Sequence, residues 1–118
     1  MRRVILDTNF LMIPGALGVD IFTELERVAP EYDLYVIDKT LDELKKLGEK
    51  MALEMVEQFN IKLINTSKED LVDDLIVEHA TKDDLVATQD KELKDRLREK
   101  GIDLVVLRKK KYLNVIKT

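Results

Sequence analysis

The sequence predicts an α/β fold, organised as a three-layer α/β/α sandwich around a central, mainly parallel sheet of about five strands. Short apolar runs alternate along the chain with segments whose apolar residues recur at helical spacing. Strands that alternate with helices form parallel sheets through right-handed crossovers. The apolar runs also lack the in-and-out alternation of a half-exposed strand, as expected when helices cover both faces of the sheet.

The first half of the chain predicts two strands and three helices in the order strand, helix, strand, helix, helix. Val4–Leu6 and Leu34–Ile37 are short apolar runs and are predicted to be strands. Val19–Val28 is predicted to be helical because apolar residues stand at 21, 22, 25 and 28. Thr40–Leu47 has them at 41, 44 and 47 before a glycine that fits a helix stop, and Met51–Phe59 has them at 52, 55, 56 and 59.

The second half continues the alternation with three strands and two helices. Ile61–Ile64, Leu85–Ala87 and Ile102–Leu107 are apolar runs of strand length. Leu71–Ala80 places its apolar residues 71, 72, 75, 76 and 80 on one helical face, and Lys91–Lys100 is a charged helix closed by a glycine. The pattern after residue 108 is too mixed to assign.

Length and composition restrict the kinds of site that the protein can hold. A chain of 118 residues predicts a single domain, residues 1–118. The absence of cysteine and the presence of only one histidine, His79, exclude disulfides and Cys- or multi-His zinc sites, so any metal would be bound by oxygen ligands, as Mg²⁺ or Mn²⁺ is. Because no apolar stretch approaches a membrane span and no signal-peptide pattern opens the chain, we expect a cytoplasmic protein without membrane contact.

Charge is distributed unevenly along the sequence. Residues 1–90 hold 10 Lys/Arg and 20 Asp/Glu, whereas residues 91–118 hold 10 Lys/Arg and 4 Asp/Glu. An acidic centre with a basic border suits a metal-dependent enzyme that acts on a polyanion, although a solvated basic helix and tail would give the same pattern.

Acidic residues follow the predicted strands at their carboxyl ends, where sheets of this class place their sites. Asp7 comes directly after the first strand, although an aspartate there could equally shape a turn or cap a helix. Glu43 lies in the first turn of the helix after the second strand, where it is predicted either to face Asp7 or to complete a capping box with Thr40.

Two further acids are predicted at the same edge. Asp73 lies near the buried stripe of its helix, whereas Asp74 is rotated by about 100° and should be more exposed, although both could simply complement the helix dipole. Asp90 follows the fourth strand, where it could instead cap the next helix, and Thr88 could add a hydroxyl to the site or only fill the strand. Four carboxylates close together repel one another, and a divalent cation would offset that repulsion.

Several segments resemble the PIN domain family in order and spacing across essentially the whole chain. They are "ILDTN", "LDELKKL", "DDLIVEHA" and "LVATQDKELKDRLREKGIDLVVLRKKKYL". The resemblance implies a metal-dependent ribonuclease with a parallel sheet, an acidic set of four residues that act in catalysis and bind Mg²⁺ or Mn²⁺, and two supporting residues. The acidic set is Asp7, Glu43, Asp73 and Asp90, with Asn9 and Thr88 in support. Asp74 competes with Asp73 for the third position, and Gln89 departs from the residue that is commoner in the family.

The predicted function is therefore an Mg²⁺- or Mn²⁺-dependent endoribonuclease. The ending of the chain is more similar to PIN nucleases of ribosomal RNA processing, and toxins of toxin–antitoxin pairs are the alternative. The predicted partners are RNA and, as alternatives, a second copy of the chain or the small partner protein of a toxin. The residues predicted to hold the RNA backbone are Lys91, Lys94, Arg108, Lys109 and Lys110.

Other classes fit the sequence less well. A receiver-like signalling domain needs an acceptor acid after the third strand, and that strand ends in "LINTS". A haloacid-dehalogenase-type phosphatase needs a second acid two residues after the first, and Asn9 occupies that position. A PIN domain that binds RNA as a scaffold without cleaving it is the remaining alternative.

Overall fold

A computed structural model describes residues 2–118 and contains a six-stranded sheet in the order β3-β2-β1-β4-β5-β6. The first five strands are parallel, and β6 pairs with β5 in the antiparallel direction. The strands are β1 Arg2–Leu6, β2 Tyr32–Ile37, β3 Lys62–Ile64, β4 Leu85–Ala87, β5 Asp103–Arg108 and β6 Tyr112–Ile116. The predicted mainly parallel sheet is confirmed, with one strand more than the five expected.

Seven helices connect and cover these strands in the part of the chain that is described. They are α1 Thr8–Leu11, α2 Ile13–Leu17, α3 Ile21–Val28, α4 Asp38–Leu47, α5 Lys50–Gln58, α6 Val72–His79 and α7 Lys91–Glu99. The five helices predicted from periodicity are present, with ends within two residues of the expected ones. The two short helices α1 and α2 were not predicted, because four or five residues are too few to show a helical period.

Helices cover both faces of the sheet, so the three-layer arrangement is confirmed. Val4 and Leu6 belong to one buried apolar cluster and Ile5 belongs to the other, as expected from the alternation of side chains along β1. Phe10 and Phe22 are buried in the core. Phe59 stacks on Phe22 with ring centroids 4.0 Å apart but remains 41% exposed.

The unassigned end of the chain forms the antiparallel edge strand β6. Lys109 and Lys110 adopt left-handed backbone conformations in the β5–β6 turn, with φ of 54° and 52°. On the outer side of β6, Glu24 of α3 accepts a hydrogen bond from Leu113 N at 2.9 Å, and Arg27 donates one to Leu113 O at 2.8 Å. These two α3 side chains, themselves an ion pair, hold the edge strand against the helix layer.

The strand order places a crevice at the carboxyl ends of β1 and β4. The chain winds outward from β1 through β2 and β3 in one direction and through β4 and β5 in the other, so β1 and β4 lie at the point where the order reverses. Ligands of open α/β sheets bind at this switch point. Asp7 follows β1 and its backbone N–H donates to Ala87 O at 3.0 Å, which joins the two strand ends directly.

None of the helices between residues 2 and 118 has the length and apolar character that a membrane crossing requires.

Candidate active site

Asp7 is a buried carboxylate at the switch point of the sheet. Its side chain is 3% exposed, and its Oδ2 accepts a hydrogen bond from Thr88 Oγ1 at 2.8 Å. The pKa of Asp7 is raised to about 6, mainly by burial and to a smaller extent by the nearby carboxylates of Asp73 and Asp90, against the opposing effect of the Thr88 hydrogen bond. The structure thus confines a negative charge where it is energetically unfavourable without a cation.

Glu43 is directed toward the residue after Asp7. Thr8 Oγ1 donates to Glu43 Oε1 at 2.7 Å and lies 3.2 Å from Thr40 Oγ1. The alternative of a capping box is wrong, because α4 begins at Asp38 and Thr40 is buried inside the helix. The hydroxyl of Thr8, at the start of α1, positions Glu43 on the same side of the site as Asp7, which agrees with the other alternative, that Glu43 faces Asp7.

The helix begins before Thr40 because Asp38 is anchored by the loop after β3. The Asp38 carboxylate accepts from Thr66 N at 2.9 Å and from Thr66 Oγ1 at 2.6 Å, and Oδ1 also accepts from Lys39 N. These contacts fix the first turn of α4 at the sheet edge, and so they determine where Glu43 enters the site.

The neighbouring acids Asp73 and Asp74 face different partners, although both are half-buried. Burial raises the pKa of Asp73, and the carboxylates of Asp90 and Glu43 add to the effect while Arg96 opposes it. Asp74 instead accepts from Arg96 Nη1 at 2.9 Å and forms an ion pair with it. The Asp74 side chain is 45% exposed, and the two residues also differ in their neighbours.

Asp90 serves α7 as a cap and also lies near the other acids. Its Oδ1 accepts from Leu93 N at 2.9 Å, and its backbone N–H donates to Thr88 Oγ1 at 3.1 Å. Its charge raises the pKa of both Asp7 and Asp73. The sequence offered two alternative roles for Asp90, a cap of α7 or a member of the acidic site. In the structure Asp90 caps α7 and also lies near the other acids.

Three of the acids line a cavity of about 210 Å³ at the sheet edge. The lining residues come from the segment that follows β1, including the start of α1, from α4 and from the beginning of α6, and Asp90 is not among them. They are Asp7, Thr8, Asn9, Glu43, Leu47, Leu71, Val72 and Asp73. Three of the four predicted acids and the predicted supporting residue Asn9 therefore share one cavity, and Thr88 reaches it through its bond to Asp7.

The donor set suits a divalent cation that keeps several of its waters better than a tightly caged metal. Within residues 2–118, no three His, Cys, Asp or Glu side chains form a ready-made metal-binding group. Mg²⁺ is commonly held by one or two carboxylates together with several waters and substrate phosphates. Asp7 and Asp73, whose pKa values are raised by burial and by neighbouring carboxylates, line a cavity with space for water and so meet that description.

The predicted RNA-binding residues lie outside this cavity. Lys91 is the first residue of α7, with its side chain 90% exposed and 3.5 Å from Asp95, and Lys94 is half-buried on the same helix. Arg108, Lys109 and Lys110 are exposed at the β5–β6 turn. Their role in RNA binding stays a prediction.

Two residues have contacts that the sequence did not reveal. Thr8 is 5% exposed, and its hydroxyl donates to Glu43 and orients that carboxylate. Gln89 accepts from Leu107 N at 2.7 Å and donates to Leu107 O at 3.3 Å, so it extends the pairing of β4 with β5 beyond the end of β4. No local signal marks these contacts, because the partners are 35 and 18 residues away along the chain.

Known proteins resemble this chain over nearly its full length. A family model described as "PIN like domain" matches residues 4–110. Ribonuclease VapC4 of Methanocaldococcus jannaschii is 30% identical in an alignment that covers 98% of this chain and 97% of the relative. The structure of the PIN domain endonuclease Utp24 is 30% identical with a TM-score of 0.84, and the match covers 98% of this chain and 92% of that one.

A more distant structure agrees in fold alone. A PilT N-terminus domain protein from the hyperthermophilic archaeon Sulfolobus solfataricus P2 is 16% identical with a TM-score of 0.53, over 90% of this chain and 87% of its own.

Proposed function

Because the chain belongs to the PIN domain family, we propose that it is a metal-dependent endoribonuclease that hydrolyses phosphodiester bonds of RNA. The observation that carries this proposal is the shared cavity of Asp7, Glu43 and Asp73 at the switch point of the sheet, with Asp90 close enough to raise the pKa of two of them. The ribonuclease and endonuclease named above resemble this chain over nearly its full length, which supports the same chemistry here.

The metal would be Mg²⁺ or Mn²⁺, held by Asp7, Glu43 and Asp73 with Asp90 beside them. Such an ion would supply Lewis-acid chemistry, since it polarises a phosphodiester and lowers the pKa of a bound water. Asp74 is less suited to the third position, because its carboxylate is already paired with Arg96.

The side chains around the acids orient them for this task. Thr88 Oγ1 fixes Oδ2 of Asp7, and Thr8 Oγ1 fixes Oε1 of Glu43, so each carboxylate is held by a hydroxyl. Asp73 is half-buried and its pKa is raised, which suits a carboxylate that accepts a proton from an attacking water. The neutral hydroxyls hold the carboxylates without neutralising the charge that attracts a cation.

The basic residues would hold the RNA backbone on either side of the cleft. Lys91 and Lys94 on α7, and Arg108, Lys109 and Lys110 on the β5–β6 turn, are the residues proposed for this contact. Binding through phosphates releases counterions, so affinity for RNA should fall steeply as salt rises.

The test is cleavage of labelled single-stranded RNA in Mn²⁺, in Mg²⁺ and in excess chelator. We expect internal cleavage only with metal, and a loss of about a hundredfold or more in rate for Asp7→Asn. Asp83→Asn, the same chemical change at an exposed turn position, is the matched control and should cleave at the wild-type rate. Cleavage that persists in Asp7→Asn or in chelator would contradict the proposed site.

The biological setting is proposed from the sequence resemblance to nucleases of ribosomal RNA processing. A toxin of a toxin–antitoxin pair, bound by a small partner protein, is the alternative. Growth arrest of a bacterial host on expression, relieved by Asp7→Asn, would favour the toxin. Binding of RNA without cleavage under any divalent ion would instead indicate a scaffold. Sedimentation would show whether two copies of the chain associate.

A further inference from the structure

Two leucines stand at the acidic cavity with most of their side-chain surface exposed to solvent. Leu71 is 69% exposed and Leu47 is 59% exposed, the highest values among the large apolar side chains of residues 2–118. Both line the cavity that contains Asp7, Glu43 and Asp73. Single exposed leucines are ordinary on protein surfaces, but the two most exposed ones meet at the candidate site.

Each leucine is linked to one of the acids by the geometry of its helix. Leu47 is four residues after Glu43 on α4, so the two side chains share a helix face one turn apart. Leu71 is two residues before Asp73 and occupies the N-cap position of α6, where its side chain makes no capping bond. Ser, Thr, Asp or Asn would stabilise the helix at that position, so the apolar residue there is not explained by helix stability.

We propose that Leu47 and Leu71 form a subsite for one unpaired nucleobase of the RNA. This inference rests on the proposed function, since it needs a phosphate at the carboxylates. A nucleotide carries its base one sugar away from its phosphate, and the leucines lie in the same cavity as the acids. Enzymes that bind unstacked bases hold them between aromatic or apolar side chains.

The leucines can contact a base only where the RNA is unpaired. A base stacked and paired within a duplex does not present its faces, whereas a single strand or loop can place a base against apolar side chains. The subsite therefore assigns Leu47 and Leu71 to the base of a nucleotide whose phosphate lies at the acids.

The experiment measures RNA binding separately from cleavage. Every protein carries Asp7→Asn to keep the RNA intact, and fluorescence anisotropy in Mg²⁺ reports binding of a labelled oligouridylate of about twelve nucleotides. A second probe is a ribose-phosphate oligomer of equal length without bases, and a third is an RNA hairpin duplex. The leucine variant is Leu47→Ser with Leu71→Ser. Leu63→Ser, 41% exposed on β3 and outside this cavity, is the matched control.

We expect the double leucine variant to bind oligouridylate about fivefold more weakly, which is the lower end of the range for a base stacked on an aromatic side chain, because leucine offers apolar contact without an aromatic face. Its affinity for the oligomer without bases and for the duplex should not change, and Leu63→Ser should bind all three probes like its parent. Equal oligouridylate affinity in the leucine variant, or an equal loss for the probe without bases, would overturn the subsite. Unchanged melting temperatures verify that the variants fold.

The two proposals fail in different ways. If the protein with native Asp7 cleaves no RNA under any divalent ion but the leucine variant still loses affinity for oligouridylate alone, the proposed hydrolysis is wrong, whereas RNA binding at the cavity and its base contact are supported. If it cleaves RNA and the leucine variant binds every probe normally, the subsite alone is wrong.

Discussion

Replacing Asp7 by asparagine should make the metal-free protein more stable at neutral pH. The carboxyl group of Asp7 has a pKa of about 6 in the folded protein, against an ordinary value of 3.8, mainly because it is buried. An acid whose pKa is higher in the folded state binds its proton more tightly there. The stability that this provides is fully present below pH 3.8 and is lost as the pH rises through about 6.

The magnitude follows from the two pKa values. A rise from 3.8 to about 6 corresponds to about 3 kcal/mol in the free energy of unfolding between acidic and neutral pH. Asparagine removes the charge but keeps only one of the two acceptor oxygens. The hydrogen bonding that is lost should lower the free energy of unfolding by about 1 kcal/mol and so offset part of the gain. The net gain of about 2 kcal/mol is large beside the total stability of a small domain, which is about 5–15 kcal/mol.

The assay is thermal unfolding of metal-free wild type, Asp7→Asn and the control Asp83→Asn from pH 4 to pH 8. At about 4 °C per kcal/mol for a chain of this length, Asp7→Asn should melt about 8 °C above wild type at pH 8. The difference should shrink as the pH falls toward 4, where wild-type Asp7 is protonated. Asp83→Asn should follow wild type throughout, since its side chain is exposed.

Divalent cations provide the second arm of the same assay. Mn²⁺ should stabilise wild type at pH 8 and narrow the gap, because a ligand that binds the folded state raises its stability. If metal-free Asp7→Asn melts at or below the temperature of wild type at pH 8, the ionised Asp7 carboxylate does not destabilise the folded protein. The raised pKa of Asp7, and the need for a cation beside it, would then be wrong.

Two further changes test the supporting contacts. Thr8→Val removes the hydroxyl that holds Glu43 and should weaken Mn²⁺ binding about tenfold in calorimetric titration. Thr8→Ser, which keeps the hydroxyl, should bind Mn²⁺ like wild type. Equal Mn²⁺ affinities of Thr8→Val and wild type would show that the hydroxyl does not orient the acid. Arg3→Met removes the partner with which Asp84, 4% exposed, forms an ion pair at 2.8 Å. The free energy of unfolding, measured by urea denaturation, should fall by about 3 kcal/mol. The affinity for Mn²⁺ should stay unchanged.

The sequence could predict the parts of the fold that depend on local periodicity. Apolar runs predict the five parallel strands, and the rule that sites lie at the carboxyl ends of such strands predicts that Asp7 and Thr88 lie at one edge of the sheet. Strand β6 could not be predicted from its apolar pattern, because an edge strand is only partly buried. The turn before it also lacks the glycine that usually marks such a turn, since Lys109 and Lys110 adopt the left-handed conformations there.

Contacts between distant segments could not be predicted in this way. Thr40 and Glu43 have the spacing of a capping box, and nothing local shows that Asp38 starts the helix two residues earlier through its bonds to Thr66. The partner of Glu43 is Thr8, which reaches it only because β1 and β2 pair side by side. Spacing within one helix contains no information of that kind.

The pair Glu24 and Arg27 also governs how this protein can meet its neighbours. An edge strand offers free N–H and C=O groups to any extended chain, which is a route to aggregation and to accidental dimers. At Leu113 of β6 both groups are already bonded to those two side chains, so that part of the backbone is closed to an incoming strand. The opposite edge, β3, is only three residues long and begins with Lys62. Continuous extension of the sheet into a neighbouring molecule is therefore disfavoured at both borders.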